Sequence, residues 1–183
     1  MRPLIITMGI LSFFSSSKGQ QKPHEGQAPA AIAVDLKKFK IGASLLGAPI
    51  APEDPFHAAL LKQDVYKLDA QGSELGTKDG LLDYGYFNIN SFKGTFSRSG
   101  DLIKVGAGTT EKDILKIFGE PYWTDRSDGE VIMFYEYQAG TIELQFEFSD
   151  GKSLSVITLA RNGVLSEADQ RKAYGVTKPW PPK

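Results

Sequence analysis

Residues 105–159 constrain the fold more than any other part of this sequence, because they predict one capped helix followed by a sheet. Thr110 can cap a helix whose third position is Asp113, a variant of the capping box. Gly119 and Pro121 then end the helix, since glycine suits its C-terminus and proline cannot continue it. Residues 106–110, Gly-Ala-Gly-Thr-Thr, precede the helix and could bind a phosphate through free N–H groups. We favour a turn there, because the segment lacks the lysine and the spacing of a phosphate loop.

Strand-like runs follow the helix at 131–137, 142–148 and 154–159. In the middle run, apolar residues alternate with glutamate and glutamine, which is typical of a strand that buries one face and exposes the other. Residues 149–152 have the composition of a tight hairpin turn. The sequence therefore predicts an antiparallel sheet with the helix on its apolar face.

The N-terminal half of the chain is less regular. Its predicted elements are a helix start at 52–56 and strands at 36–41, 65–68, 81–89 and 92–96. From these patterns we predict an α+β fold, in which helices pack on one face of an antiparallel sheet. A short echo between residues 41–49 and 105–121 leaves open a duplication into two similar halves.

The predicted organisation has four parts. They are an apolar leader with a disordered linker (1–31), an N-terminal α+β half (32–101), a helix with a three-stranded sheet (102–163), and a C-terminal helix with a proline-rich tail (164–183). The leader is too short to cross a bilayer but suits a signal-peptide core, so we expect no transmembrane span. Two interpretations stay open, export by this segment or synthesis from Met8 as a cytoplasmic protein.

The composition excludes several kinds of chemistry. The chain has no cysteine, which removes disulfides, thiolate nucleophiles and cysteine-ligated zinc. Its two histidines, His24 and His57, are far apart in sequence, which excludes a multi-histidine metal site. The formal net charge is −1 and the basic residues are spread along the chain, which disfavours nucleic acid as a partner. We therefore predict neither a cofactor nor a metal site.

Residues 108–121 have the sequence Gly-Thr-Thr-Glu-Lys-Asp-Ile-Leu-Lys-Ile-Phe-Gly-Glu-Pro. This segment resembles the SmpA/OmlA family of BamE-like outer-membrane lipoproteins, which show a Gly-x-Thr-x-x-x-Val pattern ending in Leu-Gly-x-Pro before an aromatic-rich three-stranded sheet. The resemblance covers mainly residues 105–159 and implies a bacterial-type, BamE-like helix and sheet that binds proteins. A similar layout in tandem occurs in β-lactamase inhibitory protein, whose sheets form a concave binding surface. The lipid-attached cysteine of the family is missing here.

The candidate partner-binding residues are four aromatic residues, Tyr122, Trp123, Tyr135 and Tyr137. Tyr135 and Tyr137 share one face of a predicted strand, and the other two lie in the loop that leads into it. Tyrosine and tryptophan are enriched in binding hot spots. The alternative is that the two strand tyrosines pack against the helix. For Trp180 in the tail, we favour docking on the chain's own sheet or disorder over binding to a partner.

Acidic residues and one histidine are the candidates for catalysis. Glu136, Glu143 and Glu147 could pair on one sheet face for acid–base chemistry, but strand alternation favours three solvent-facing residues. His57 and nearby carboxylates could form a general base with its orienting group, but no nucleophile motif accompanies them.

We therefore predict a non-catalytic protein-binding or scaffold module of unknown partner, with an inhibitor-like, immunity-like or envelope-associated role. The alternative is a small hydrolase-type enzyme that uses His57 and nearby carboxylates. An exposed aromatic sheet face favours the first hypothesis, and a pocket that places His57 against a carboxylate favours the second. The sequence predicts neither the identity of the partner nor the oligomeric state.

Overall fold

The computed structural model describes residues 31–182, so the leader, most of the linker and the alternative start at Met8 lie outside the described residues. The strands are β1 (Ala33–Asp35), β2 (Lys40–Ile41), β3 (Ser44–Leu45), β4 (Val65–Lys67), β5 (Glu74–Lys78), β6 (Leu81–Asn88), β7 (Thr95–Arg98), β8 (Asp101–Ile103), β9 (Trp123–Asp125), β10 (Val131–Tyr137), β11 (Ile142–Phe148) and β12 (Val156–Arg161). The helices are α1 (His57–Leu60), α2 (Glu111–Phe118) and α3 (Ala168–Ala173), with short 3-10 helices at Gln138–Gly140 and Val164–Ser166.

The strands form two sheets. The smaller has the order β3-β2-β1-β7-β8, in which β1 and β7 pair in parallel and the other pairs are antiparallel. The larger has the order β4-β5-β6-β12-β11-β10-β9, and all of its pairs are antiparallel. Because β6 pairs with β12, strands from the N-terminal and C-terminal parts of the chain lie in one continuous sheet.

The predicted α+β class is wrong, because the fold is mostly β. The three α-helices of the described chain have only 4, 8 and 6 residues. They also do not share one face of the sheet: α2 lies on the core side, where Phe118 contacts Phe146, while the segment that contains α3 covers the opposite face. The strands of the smaller sheet have only 2 to 4 residues, which is too short for an alternating pattern to reveal a second sheet.

One hydrophobic core lies between the two sheets. Phe96 of the smaller sheet packs edge-on against Phe87 of the larger, with 5.6 Å between ring centroids. Phe39, in the turn between β1 and β2, lies 5.1 Å from Tyr137 of β10, again between centroids. Burial of each large apolar side chain contributes about 1.5–3 kcal/mol. The core residues of the larger sheet alternate with a second set of side chains, which face away from the smaller sheet.

The capped helix is confirmed. The Thr110 hydroxyl accepts the backbone N–H of Asp113, and Asp113 Oδ2 accepts the N–H of Thr110 at 2.9 Å, which completes a capping box. Gly119 ends α2 with φ of 78°, a left-handed conformation that favours glycine. This helix therefore follows from local sequence alone.

Two of the three predicted C-terminal strands are confirmed with their bounds, as β10 and β11. The third, β12, begins later than predicted, because residues 149–155 form a longer loop in which Asp150 Oδ1 accepts two backbone N–H groups. The helix predicted within residues 164–183 is α3, which begins after Glu167; the residues before it, Val164–Ser166, form a 3-10 helix.

A substitution at Gly85 of β6 tests how closely the two sheets pack. A Cβ atom at Gly85 would lie 2.6 Å from Ile41 Cδ1 and 2.7 Å from Phe87 Cζ. We expect Gly85→Ala to lower the free energy of unfolding by about 1–3 kcal/mol, because the packed core must shift to admit the methyl group. Gly106→Ala is the matched control, since nothing lies within 4 Å of its Cβ position. Urea unfolding compares the two variants, and equal stability would contradict this packing.

Candidate functional site

The larger sheet has a second face, turned away from the core, which we call the outer face. One row of side chains crosses β9, β10, β11, β12 and β6 on this face: Trp123, Phe134, Gln145, Thr158 and Tyr86. The alternation that buries the core residues places this row on the opposite side. The outer face therefore combines aromatic and polar groups.

Residues 164–182, which we call the C-terminal strap, cover part of the outer face. Tyr174 of the strap packs edge-on against Phe134, with 5.2 Å between ring centroids. Phe134 and Val156 on the sheet and Leu165 in the strap are buried, but they do not belong to the central core. Their burial shows that the outer face and the strap enclose a small apolar interior of their own.

Glu143 of β11 anchors the start of the strap. Its side chain is fully buried, and its two carboxylate oxygens accept the backbone N–H groups of Val164 and Leu165, each at 2.8 Å. Gln145 Nε2 donates to the same carboxylate. A buried carboxylate is costly unless it is hydrogen-bonded, and these three donors offset that cost. Gly163 permits the approach, since a Cβ atom at this position would overlap Glu143 Oε1.

Tyr122 and Trp123, which we call the aromatic dock, hold the end of the strap. Trp123 Nε1 donates to the carbonyl oxygen of Tyr174 at 3.0 Å. The Tyr122 hydroxyl lies 3.1 Å from the carbonyl oxygen of Lys178 and 3.0 Å from that of Pro179, and donates to them. The dock thus recognises main-chain acceptors of the strap.

Trp180 lies at the far end of the strap, on the chain's own sheet. Its ring packs edge-on against Tyr122 with 5.8 Å between centroids, and the Arg171 guanidinium lies 4.8 Å from its centroid. A Cβ atom at Gly140 would lie 2.5 Å from Trp180 Cζ2, so the indole rests against this glycine. Gly140 also has φ of 81°, which favours glycine for a second reason.

The outer face carries buried acidic groups. Glu136 lies opposite Glu143 in the register of β10 and β11. Burial, and then the charge of Glu143, raise the pKa of Glu136 to about 10, against an opposing effect of Arg171. Burial, and then the charges of Glu130 and Glu143, raise the pKa of Glu147 to about 7. Both carboxyl groups therefore keep a proton to higher pH than an exposed glutamate does.

The favoured expectation that Glu136, Glu143 and Glu147 face solvent is wrong for Glu143, which is buried, whereas Glu136 and Glu147 are half-buried. Glu143 is 0% exposed, and buried oxygens of Glu136 and Glu147 have no hydrogen-bond partner among residues 31–182. Alternation identified the outer face correctly, but it carries no information about the strap that covers this face. The alternative, a pair of carboxylates on one face, is the geometry that Glu136 and Glu143 have.

The structure does not bring the four predicted partner-binding residues onto one surface. Tyr135 is buried on the core face, where its hydroxyl donates to the carbonyl oxygen of Gly119 at 2.7 Å and its ring contacts Phe118 of α2. Tyr137 is half-buried beside Phe39. Only Tyr122 and Trp123 contact the strap.

His57 does not pair with a carboxylate in the described part of the chain. It begins α1 and is half-buried. The carboxylate of Asp54 accepts the N–H groups of Ala43 and Ser44, at 2.8 and 2.9 Å, and Asp64 is exposed. The geometry that the hydrolase alternative requires is therefore not formed.

The segment weighed for phosphate binding lines a groove of about 620 Å³ beside α2. The Thr109 hydroxyl accepts the N–H of Gly106 at 2.9 Å, which is turn chemistry. Lys104, Lys116 and Asp113 line the groove, and the Asp113 carboxylate accepts the N–H of Thr110 in the capping box. Residues 31–182 contain no group of three or more histidine, aspartate or glutamate side chains that could hold a metal ion.

Little in the amino-acid sequence indicates the strap or its anchor. Glu143 has the pattern of an exposed strand residue, and nothing in β11 alone shows that its side chain caps another segment. The apolar pair Val164-Leu165, directly after β12, is the one local sign that the chain turns back onto the sheet.

Comparison with protein-family models, with curated proteins and with solved structures gives no match. Across the described residues, no helix is both long and apolar enough to cross a membrane.

Glu147→Gln should remove part of the pH dependence of stability. Because the pKa of Glu147 is about 7 in the folded protein, above its ordinary value of 4.5, its stabilising contribution is complete below pH 4.5 and is lost as the pH rises through 7. Titration of Glu147 should lower the free energy of unfolding of the wild type by about 2–3 kcal/mol between about pH 5 and about pH 8.5. The variant should not show this loss.

Urea unfolding at a series of pH values measures this loss. Glu53→Gln is the control, since Glu53 is exposed. We expect this control to follow the wild type. Parallel curves for the wild type and Glu147→Gln would contradict a buried, titrating Glu147.

Proposed function

We propose that this chain is a non-catalytic protein-binding module whose binding surface is the outer face of the larger sheet. One observation carries the proposal: the Tyr122 hydroxyl and Trp123 Nε1 both donate hydrogen bonds to main-chain carbonyl oxygens of the strap. Every peptide segment presents such acceptors, so the aromatic dock can bind an extended segment of another protein with the same groups. Tyrosine and tryptophan also supply large contact areas at low entropic cost.

The way in which the strap is held supports this proposal. Within the described chain, residues 177–182 make no backbone–backbone hydrogen bond. They are held by side chains of the sheet and by ring packing, as a bound peptide would be. Most of these residues are exposed, so little buried area opposes their replacement.

An inhibitor-like, immunity-like or envelope-associated role would use such a surface equally well. The hydrolase hypothesis has less support, because the oxygens of Asp54 are bonded to the main chain near β3. We therefore retain the binding function, with its surface moved from the tyrosines of β10 to the aromatic dock.

Partner capture by the immobilised full-length chain tests the proposed function. Tyr122→Phe combined with Trp123→Phe removes both donors while it retains two aromatic rings, so specific capture should fall by about tenfold or more. Tyr135→Phe is the matched control, because it removes a hydroxyl from the core face and should leave capture unchanged. Quantitative mass spectrometry of the retained proteins is the measurement.

Two outcomes would overturn the proposal. One is equal capture of the same proteins by the folded double variant. The other is the absence of any specifically retained protein with the wild type. Circular dichroism and urea unfolding of all three proteins establish that they are folded.

A further inference from the structure

We infer that the partner protein binds the outer face with a proline-rich segment that carries a tryptophan and a basic residue. The chain's own tail, residues 174–182, occupies the binding position of that segment. This inference rests on the proposed function and names the class of partner for the same surface. The tail has the sequence Tyr-Gly-Val-Thr-Lys-Pro-Trp-Pro-Pro.

The prolines of the tail suit the chemistry of the dock. Pro179, Pro181 and Pro182 have no backbone N–H, and residues 177–182 make no backbone–backbone hydrogen bond within the described chain, so their carbonyl oxygens are free to accept from side chains. The Tyr122 hydroxyl donates to the carbonyl oxygen of Pro179. Aromatic-lined surfaces are a usual means by which proline-rich segments are recognised.

The tryptophan of the tail packs against a specific position on the protein, at Gly140. The Trp180 ring fills the space left by the missing side chain of Gly140, at the turn between β10 and β11, and its edge meets Tyr122. A smaller side chain would leave this space empty and would lose the contact with the Arg171 guanidinium. Tryptophan is therefore the residue that this position selects.

The ring of Tyr122 favours a basic residue in the bound segment. The Lys178 ammonium lies 5.7 Å from the centroid of this ring, within the range of a cation–π contact. A segment with lysine before its first proline can make the same contact.

The tail can be exchanged while the first part of the strap stays in place. Glu143 holds Val164 and Leu165, which precede α3. The tail after Tyr174 is held instead by the aromatic dock and by the packing of Trp180 against Gly140. A segment with the same composition competes with the tail for these groups. The tail then lowers the apparent affinity of the partner by the fraction of time that it occupies the dock.

Binding of a synthetic peptide to full-length protein tests the inference. The probe is a fluorescent peptide with the sequence of residues 174–183, and fluorescence anisotropy gives its affinity. Trp180→Ala weakens the chain's own tail, so this variant should bind the peptide about tenfold more tightly than the wild type. Adding Tyr122→Phe and Trp123→Phe to it should reverse the gain.

Two control peptides separate the parts of the inference. In one the tryptophan is replaced by alanine, and in the other all three prolines are. We expect each to bind the Trp180→Ala variant about tenfold more weakly than the parent peptide. Urea unfolding shows that each protein variant is folded.

Absence of peptide binding to the folded Trp180→Ala variant would overturn the inference, and so would binding that does not depend on Tyr122 and Trp123. A wild-type dimer that the peptide dissociates, measured by light scattering, would also overturn it, because the occupant would then be a second copy of the chain. Dock-dependent capture of proteins that lack proline-rich segments would overturn this inference alone, whereas capture unaffected by the dock variants would overturn the proposed function.

Discussion

The buried carboxylate of Glu143 is the interaction on which the arrangement of the outer face depends. A charged group at the centre of a sheet face is stable only when donors replace the water that it loses. Here two of the three donors are the N–H groups of Val164 and Leu165, so the chain after β12 has to turn back onto the sheet. That turn brings α3 onto the outer face, and the tail after Tyr174 is then held by the aromatic dock.

The outer face and the core face of the larger sheet use the same strand alternation for different purposes. On the core side, residues such as Leu144 and Phe146 pack against α2 and the smaller sheet and supply stability. On the outer side, polar and aromatic residues contact a segment with little regular structure, and two oxygens of Glu136 lack partners. Such incompletely satisfied groups lower stability locally.

Local sequence predicted the elements whose determinants are local. The capping box of Thr110 and Asp113 and the alternation of β11 gave the right helix and strand. The smaller sheet was missed because its strands are very short and one of its pairings, between β1 and β7, joins distant segments in parallel. The α+β class was wrong for that reason.

The candidate site could be predicted only in part. Tyr122 and Trp123 were identified from residue type, but their partner is the strap, whose return to the sheet depends on tertiary contacts with Glu143. Because the strap covers part of the outer face, Glu143 is buried and Glu136 and Glu147 are half-buried, although strand alternation predicts that all three are solvated. The resemblance to BamE-like proteins stays a prediction, since the helix and strands behind it are elements that many folds share.

Amide hydrogen exchange at Val164 and Leu165, followed by NMR in the full-length chain, tests the anchoring of the strap most directly. Because both N–H groups are bonded to a fully buried carboxylate, we predict that they exchange at least on the order of 10³-fold more slowly than in an unfolded chain. Exchange of these two amides at the unfolded rate, while the amides of β11 remain protected, would contradict a strap docked on the outer face.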